Sequence, residues 1–134
     1  MDELRNKRYK DKIQHIFDYI QDLPLIPKNE LEKRGIFYSL QTSIEAMVDL
    51  IAMLVKDLGI QVKDDNNNIN EIIRIKKLNP ELGEKLSQAN GLRNIIVHRY
   101  NAVDDQIILD SVQEVKDLLL KWVRIIEESL NDIS

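Results

Sequence analysis

The sequence predicts an all-α fold, an up-and-down bundle of four main helices with one extra short helix. Three observations carry this. Apolar residues recur at alternating steps of three and four along most of the chain, the spacing that gathers them on one face of a helix. Glycine and proline are scarce, four and three residues respectively. No segment shows the apolar–polar alternation of a half-buried strand for a convincing length. With 134 residues and 15.7 kDa, the chain has the size of a single domain, residues 1–134, and can bury a core without disulfides or a metal.

Each element follows from local signals. Tyr9, Ile13, Ile16, Ile20 and Leu23 mark a first helix over about residues 3–22. It stops before Pro24, because the residue preceding a proline avoids the helical region. A second helix, about 28–58, begins near Pro27 or Lys28 and carries the longest periodic run: Phe37, Leu40, Ile44, Met47, Ile51, Leu54 and Leu58. Gly59 is its natural stop, since glycine enters the left-handed conformation freely. Residues 61–70 are polar, with Asp64-Asp65-Asn66-Asn67-Asn68 at the centre, and predict an exposed loop. A short third helix follows over about 69–77. Asn79-Pro80-Glu81 announces a fourth: a cap, a proline at the first position and an acid at the positive end of the dipole. Leu82, Leu86, Ala89 and Leu92 face its core, and it runs to Val97 or Arg99. A turn at 101–103, with Asp104 or Asp105 as cap, leads into a fifth helix over about 105–131. Ile108, Val112, Val115, Leu119, Trp122, Ile126 and Leu130 form its stripe, widened by Leu118, Val123 and Ile125.

Composition narrows the chemistry. There is no cysteine, which excludes a disulfide framework, a thiolate metal site and a cysteine nucleophile. The charged N-terminus leads into no signal-peptide core, and no apolar run approaches the 18 to 20 or so residues of a membrane span. A soluble, cytoplasmic protein without a membrane partner is expected. The net charge of −4 argues against general nucleic-acid coating, so any phosphate chemistry must use a local basic patch.

One stretch gathers capable side chains: Arg93-Asn94-Ile95-Ile96-Val97-His98-Arg99-Tyr100. At about 100° per residue from Arg93, Asn94 lies near 100°, His98 near 140° and Tyr100 near −20°, with Leu92, Ile95 and Ile96 on the other side. The polar groups project together while the apolar ones enter the bundle. Val97 falls within the polar arc, which hints at a surface covered by a partner. Histidine suits proton transfer near neutrality, and arginine offers a planar fork for phosphate. Asparagine can orient the imidazole, and tyrosine can stack on a base or bond a phosphate. Such a set can cleave a phosphodiester without metal, His98 activating a ribose 2′-hydroxyl and Arg93 holding the phosphate. RNA would then be the substrate. The structural alternative is a histidine and an arginine that merely favour a helix C-terminus.

The pattern Arg93-x4-His98-x-Tyr100, with polar Asn94 after the arginine, resembles the signature of HEPN-domain proteins. More narrowly it is similar to the HepT family, the toxin half of the HepT–MntA toxin–antitoxin pair. The similarity extends to the chain length, the helix order, the motif at the end of the fourth helix and Glu45-x3-Asp49 on the second. The resemblance implies a homodimer that brings two motifs into one cleft. It also implies metal-independent endoribonuclease activity with no cofactor. It further implies a nucleotidyltransferase antitoxin that transfers AMP to the motif tyrosine, here Tyr100, and so silences the toxin. An adduct there would add bulk and negative charge where phosphate must enter.

Other residues leave alternatives open. His15 is a surface or partly buried histidine without a second ligand at metal spacing, so no metal site is expected. Glu45 and Asp49 share a helix face. Either they are solvated or paired with Lys56 or Arg34, or one of them orients Arg93 or His98 from the neighbouring helix. Arg99 either adds to the patch or is a free surface charge. Two function classes remain. One is a dimeric ribonuclease with Arg93 and His98 catalytic, and Asn94, Tyr100, Glu45 and Asp49 supporting. The other is a non-catalytic dimer that serves as partner of a minimal nucleotidyltransferase.

Overall fold

The computed structural model describes residues 1–98 and 102–133. Among these, the chain forms five helices and no strand: α1 (Glu3–Ile20), α2 (Glu30–Asp57), α3 (Asp65–Lys76), α4 (Pro80–Val97) and α5 (Ala102–Ile133). The all-helical architecture expected from the apolar spacing is present, with α3 as the short element.

α2 is the axis of the bundle. It packs against each of the other four helices, whereas α1 touches only α2 and α5. Its buried face runs from Ile36 and Phe37 through Leu40, Ile44 and Met47 to Leu54 and Val55. Trp122 of α5, Tyr9 of α1 and Phe37 are the largest side chains that are fully buried. Each large apolar side chain taken from water contributes about 1.5–3 kcal/mol before entropy is counted. Contacts between α1 and α2 pair early residues with late ones: Arg5 with Asp57, Lys12 with Asp49, His15 with Thr42. The two helices are therefore antiparallel. By length and composition alone α2 would suffice to cross a bilayer, contrary to the expectation that no such stretch exists; half of that window is buried inside the bundle, as in a core helix.

The boundaries follow local chemistry. The Asn29 side chain accepts from the Glu32 amide at 2.8 Å and the Glu32 carboxylate accepts from the Lys28 amide at 3.1 Å. These two contacts start α2 at Glu30, two residues later than the expected residue 28. Gly59 ends it with φ +80°. α1 stops at Ile20.

Two expectations are corrected. The asparagine-rich stretch is helix, not loop. Asp64 caps α3 by accepting from the Asn67 amide at 2.8 Å. Asn68 is buried; its side chain accepts from the Lys63 amide at 2.8 Å and donates to the Lys63 carbonyl at 3.1 Å. That closes the polar backbone of the incoming chain and lets Ile69 and Ile72 enter the core. At the start of α5, residues 102 and 103 are helical, so Asp104 and Asp105 lie in the first turn, not at the cap. Asp105 accepts from Lys33 at 2.9 Å. That ion pair anchors the start of α5 to the start of α2.

Candidate functional site

α4 is fixed at its first turn and presents its last turn. The Asn79 side chain accepts from the Glu81 amide at 3.0 Å, with Pro80 as the first residue. The Trp122 indole donates to the Leu82 carbonyl at 3.3 Å, which ties that turn to α5. At Gly83 a Cβ would lie 3.0 Å from Ile73 Cγ1, so α3 and α4 approach closely there. Further along, Leu92 and Ile96 are buried while Asn94, Val97 and His98 are exposed. The division of the helix into an apolar and a polar side thus holds for the described part of the motif.

Arg93 is held from two directions. Its Nε donates to Glu45 Oε1 of α2 at 3.0 Å, and its Nη1 donates to Asn94 Oδ1 at 2.9 Å. The same Glu45 oxygen accepts from Gln41 Nε2 at 3.3 Å. A guanidinium carries five N–H donors, and these contacts use two. The plane of the fork is thereby set by α2 and by the next residue on α4. Both partners of the ion pair are 37% exposed, so the site is open to a ligand.

His98 is the C-cap of α4, with φ −111° and ψ 20° and its amide donating to the Asn94 carbonyl at 3.0 Å. Its side chain is exposed. Asn94 engages Arg93 through its side chain and His98 through its backbone. Asn94 is thus the joint between the two, and its side-chain oxygen is turned to the guanidinium, not to the imidazole.

The two carboxylates of α2 separate in their contacts. Glu45 takes Arg93. Asp49 takes Lys12 of α1 at 3.4 Å, and is not paired with Lys56 or Arg34; Arg34 lies 3.9 Å from Glu30. Tyr100 and Arg99 lie outside the described residues. Gln41 is a site residue outside the motif, and its spacing of four from Glu45, which puts both on one helical face, is its signal in the sequence. The Lys33–Asp105 anchor had no sequence signal, because its partners are 72 residues apart.

Among the described residues no group of three or more histidine or acidic side chains is placed to hold a metal ion. On the α5 side of α4 there is a separate, largely apolar groove of about 420 Å³, lined by residues such as Leu92, Ile95, Ile107 and Leu118. It carries none of the motif's polar groups.

Comparison with known proteins places the chain in a family. The family model described as Ribonuclease HepT-like matches residues 8–132. A protein of Archaeoglobus fulgidus, provisionally named an RNase, is 45% identical over 130 residues, covering 97% of this chain and 98% of its own. A second protein of that organism with the same provisional name is 33% identical, covering 90% and 95%. Among solved structures, the tri-AMPylated Shewanella oneidensis HEPN toxin in complex with MNT antitoxin superposes with a TM-score of 0.71 at 18% identity, covering 96% of this chain and 99% of that one. A toxin–antitoxin structure with AMP-PNP gives 0.70, also at 18% identity, covering 94% and 99%. At that identity the likeness is one of fold.

Proposed function

This chain belongs to the HepT-like ribonuclease family, and we propose that it is an endoribonuclease, the toxin of a toxin–antitoxin pair, which cleaves RNA without a metal ion. The observation that carries the reading is the Glu45–Arg93–Asn94 arrangement: a guanidinium fixed by two partners at an open helix end, five residues before an exposed histidine. In this mechanism Arg93 binds the scissile phosphate and stabilises the charge that grows on it. His98 takes the proton of the ribose 2′-hydroxyl, whose oxygen attacks phosphorus. The phosphorus–O5′ bond breaks and the departing O5′ takes a proton from solvent, which leaves a 2′,3′-cyclic phosphate and a 5′-hydroxyl. Glu45 and Asn94 position Arg93. Asp49 supports the same face through Lys12. The exposed Val97, 47% accessible beside the site, supports a homodimer in which a second copy covers this end of α4 and contributes a second motif.

The partner in this proposal is a nucleotidyltransferase antitoxin of the MntA kind, which moves AMP onto Tyr100, two residues after His98. A phosphodiester there repels the RNA backbone and fills the cleft. The structural neighbours named as complexes with an MNT antitoxin support the pairing. RNA cleavage by the purified protein in EDTA, beside His98→Ala and Arg93→Ala, tests the activity. Loss in both variants is expected, and equal cleavage by all three would defeat the reading.

The chain's acidic balance, −4 overall, favours a second reading: a non-catalytic dimer that only docks the nucleotidyltransferase. That reading expects a stable complex with no RNA cleavage and no growth arrest on expression.

A further inference from the structure

We propose that the aromatic cluster His15–Tyr19–Tyr38, between α1 and α2 with both tyrosines exposed, is a base-stacking subsite for the RNA strand that enters the Arg93 site; this rests on the ribonuclease reading above. The three rings are in sequence contact. The His15 and Tyr19 centroids lie 4.6 Å apart at 38°, and those of Tyr19 and Tyr38 lie 5.8 Å apart at 66°, edge to face. Tyr38 is 56% exposed and Tyr19 36%, whereas Tyr9, Phe37 and Trp122 are buried in the core. Core packing therefore does not account for this cluster.

Its placement argues for a nucleobase. Tyr38 stands seven residues before Glu45 on one stripe of α2, about 10 Å along the axis at about 1.5 Å per residue. His15 Nε2 pairs with the Thr42 hydroxyl at 2.8 Å. His15, Thr42 and Glu45 line one shallow groove. His15 thus links the cluster to the groove of the carboxylate that holds Arg93, and the two tyrosines lie outside that groove at a distance a neighbouring nucleotide can bridge. Stacking is indifferent to base identity because every base has a π-face.

Of the carboxylates around the cluster, Asp11 lies 3.5 Å from Lys7 and Asp49 3.4 Å from Lys12, while Asp18 accepts from the uncharged Gln14 at 2.8 Å and keeps its charge. Arg34, one turn before Tyr38 on α2, is exposed and 3.9 Å from Glu30, and it is a cation of this helix within reach of a bound phosphate.

The test uses the full chain with His98→Ala, so that RNA is bound and not consumed. A single-stranded oligoribonucleotide carrying 2-aminopurine is titrated and its fluorescence quenching is read. Tyr38→Leu and Tyr19→Leu are expected to weaken binding roughly five- to a hundredfold and to relieve the quenching, while Tyr38→Trp keeps both. Unchanged binding and quenching in both leucine variants overturns the subsite. If the otherwise unaltered chain still cleaves RNA with Tyr38→Leu at unchanged kcat/KM, the subsite fails and the ribonuclease reading stands. If the chain neither binds nor cleaves any RNA, both fail. If Tyr38→Leu halves the particle mass in light scattering and Tyr38→Trp does not restore it, the rings seat a second copy of the chain and the proposal is overturned.

Discussion

Arg93 Nε and Glu45 Oε1 meet at 3.0 Å although 48 residues separate them in the chain. The contact joins the helix that carries the motif to the helix that every other element packs against. An ion pair this exposed adds less than about 1 kcal/mol to stability, so its value lies in setting the direction of the fork. Glu45→Ala is expected to lower kcat for RNA cleavage about ten- to a hundredfold, with Glu45→Gln intermediate because an amide oxygen still accepts from Nε. Thermal unfolding of both variants should stay within about 1 kcal/mol of the native chain. Equal losses in activity and stability would make Glu45 a structural residue only.

Arg93→Lys keeps the charge but loses the planar fork. A point charge cannot engage Glu45, Asn94 and a phosphate at once. Cleavage is expected to fall by about 10² or more, measured as single-turnover rate on a labelled oligoribonucleotide. Lysine at full activity would show that charge alone suffices at this position.

At the other end of α2, Asp57 accepts from the Tyr9 hydroxyl at 2.5 Å and from Arg5 Nε at 2.9 Å. Burial alone would raise the Asp57 carboxyl, but the hydrogen bonds from Arg5 and Tyr9 outweigh it and hold its pKa below the ordinary carboxylate value. Burial and the Asp57 bond push the Tyr9 phenol up. A carboxyl lowered in the folded state contributes stability above its unfolded pKa, and that contribution is lost as pH falls through the folded value. Acidification below about pH 4 should therefore destabilise the native chain more than Asp57→Asn in urea unfolding. Tyr9→Phe should cost about 1.5–3 kcal/mol at neutral pH, the range for a hydrogen bond to a charged group.

Two glycines of α4 should respond oppositely to alanine. At Gly91 nothing lies within 4 Å of an added Cβ, so Gly91→Ala should stabilise by about 0.5–1 kcal/mol through helix propensity. At Gly83 the new methyl meets Ile73 at 3.0 Å. There the propensity gain is offset by displacement of a packed side chain, and Gly83→Ala should be no more stable than the native chain. Chemical denaturation of the pair decides it.

Asn68 supplies both bonds to Lys63 from a buried position. Asn68→Ala leaves a backbone donor and acceptor without those partners and should cost about 2 kcal/mol. Loss of amide protection in hydrogen exchange should concentrate in α3.

The sequence by itself determined the helical class, the order of the five elements, and the gathering of Arg93, Asn94 and His98 at one helix end. These depend on spacing and on capping residues, which are local: Asn79-Pro80-Glu81 starts α4 as written, and Leu92 and Ile96 point inward as the helical period requires. The same local reading mistook Asp65 to Asn68 for a loop. Polar composition is visible in the chain, whereas the return of the Asn68 side chain to Lys63 in a buried position depends on the fold. Only the tertiary structure decided between Glu45 and Asp49, which share a face and a charge. The packing of α4 on α2 brings Arg93 to Glu45, and the antiparallel register of α1 brings Lys12 to Asp49. A one-dimensional pattern fixes which face a residue occupies, and the crossing of two helices fixes whom it meets there.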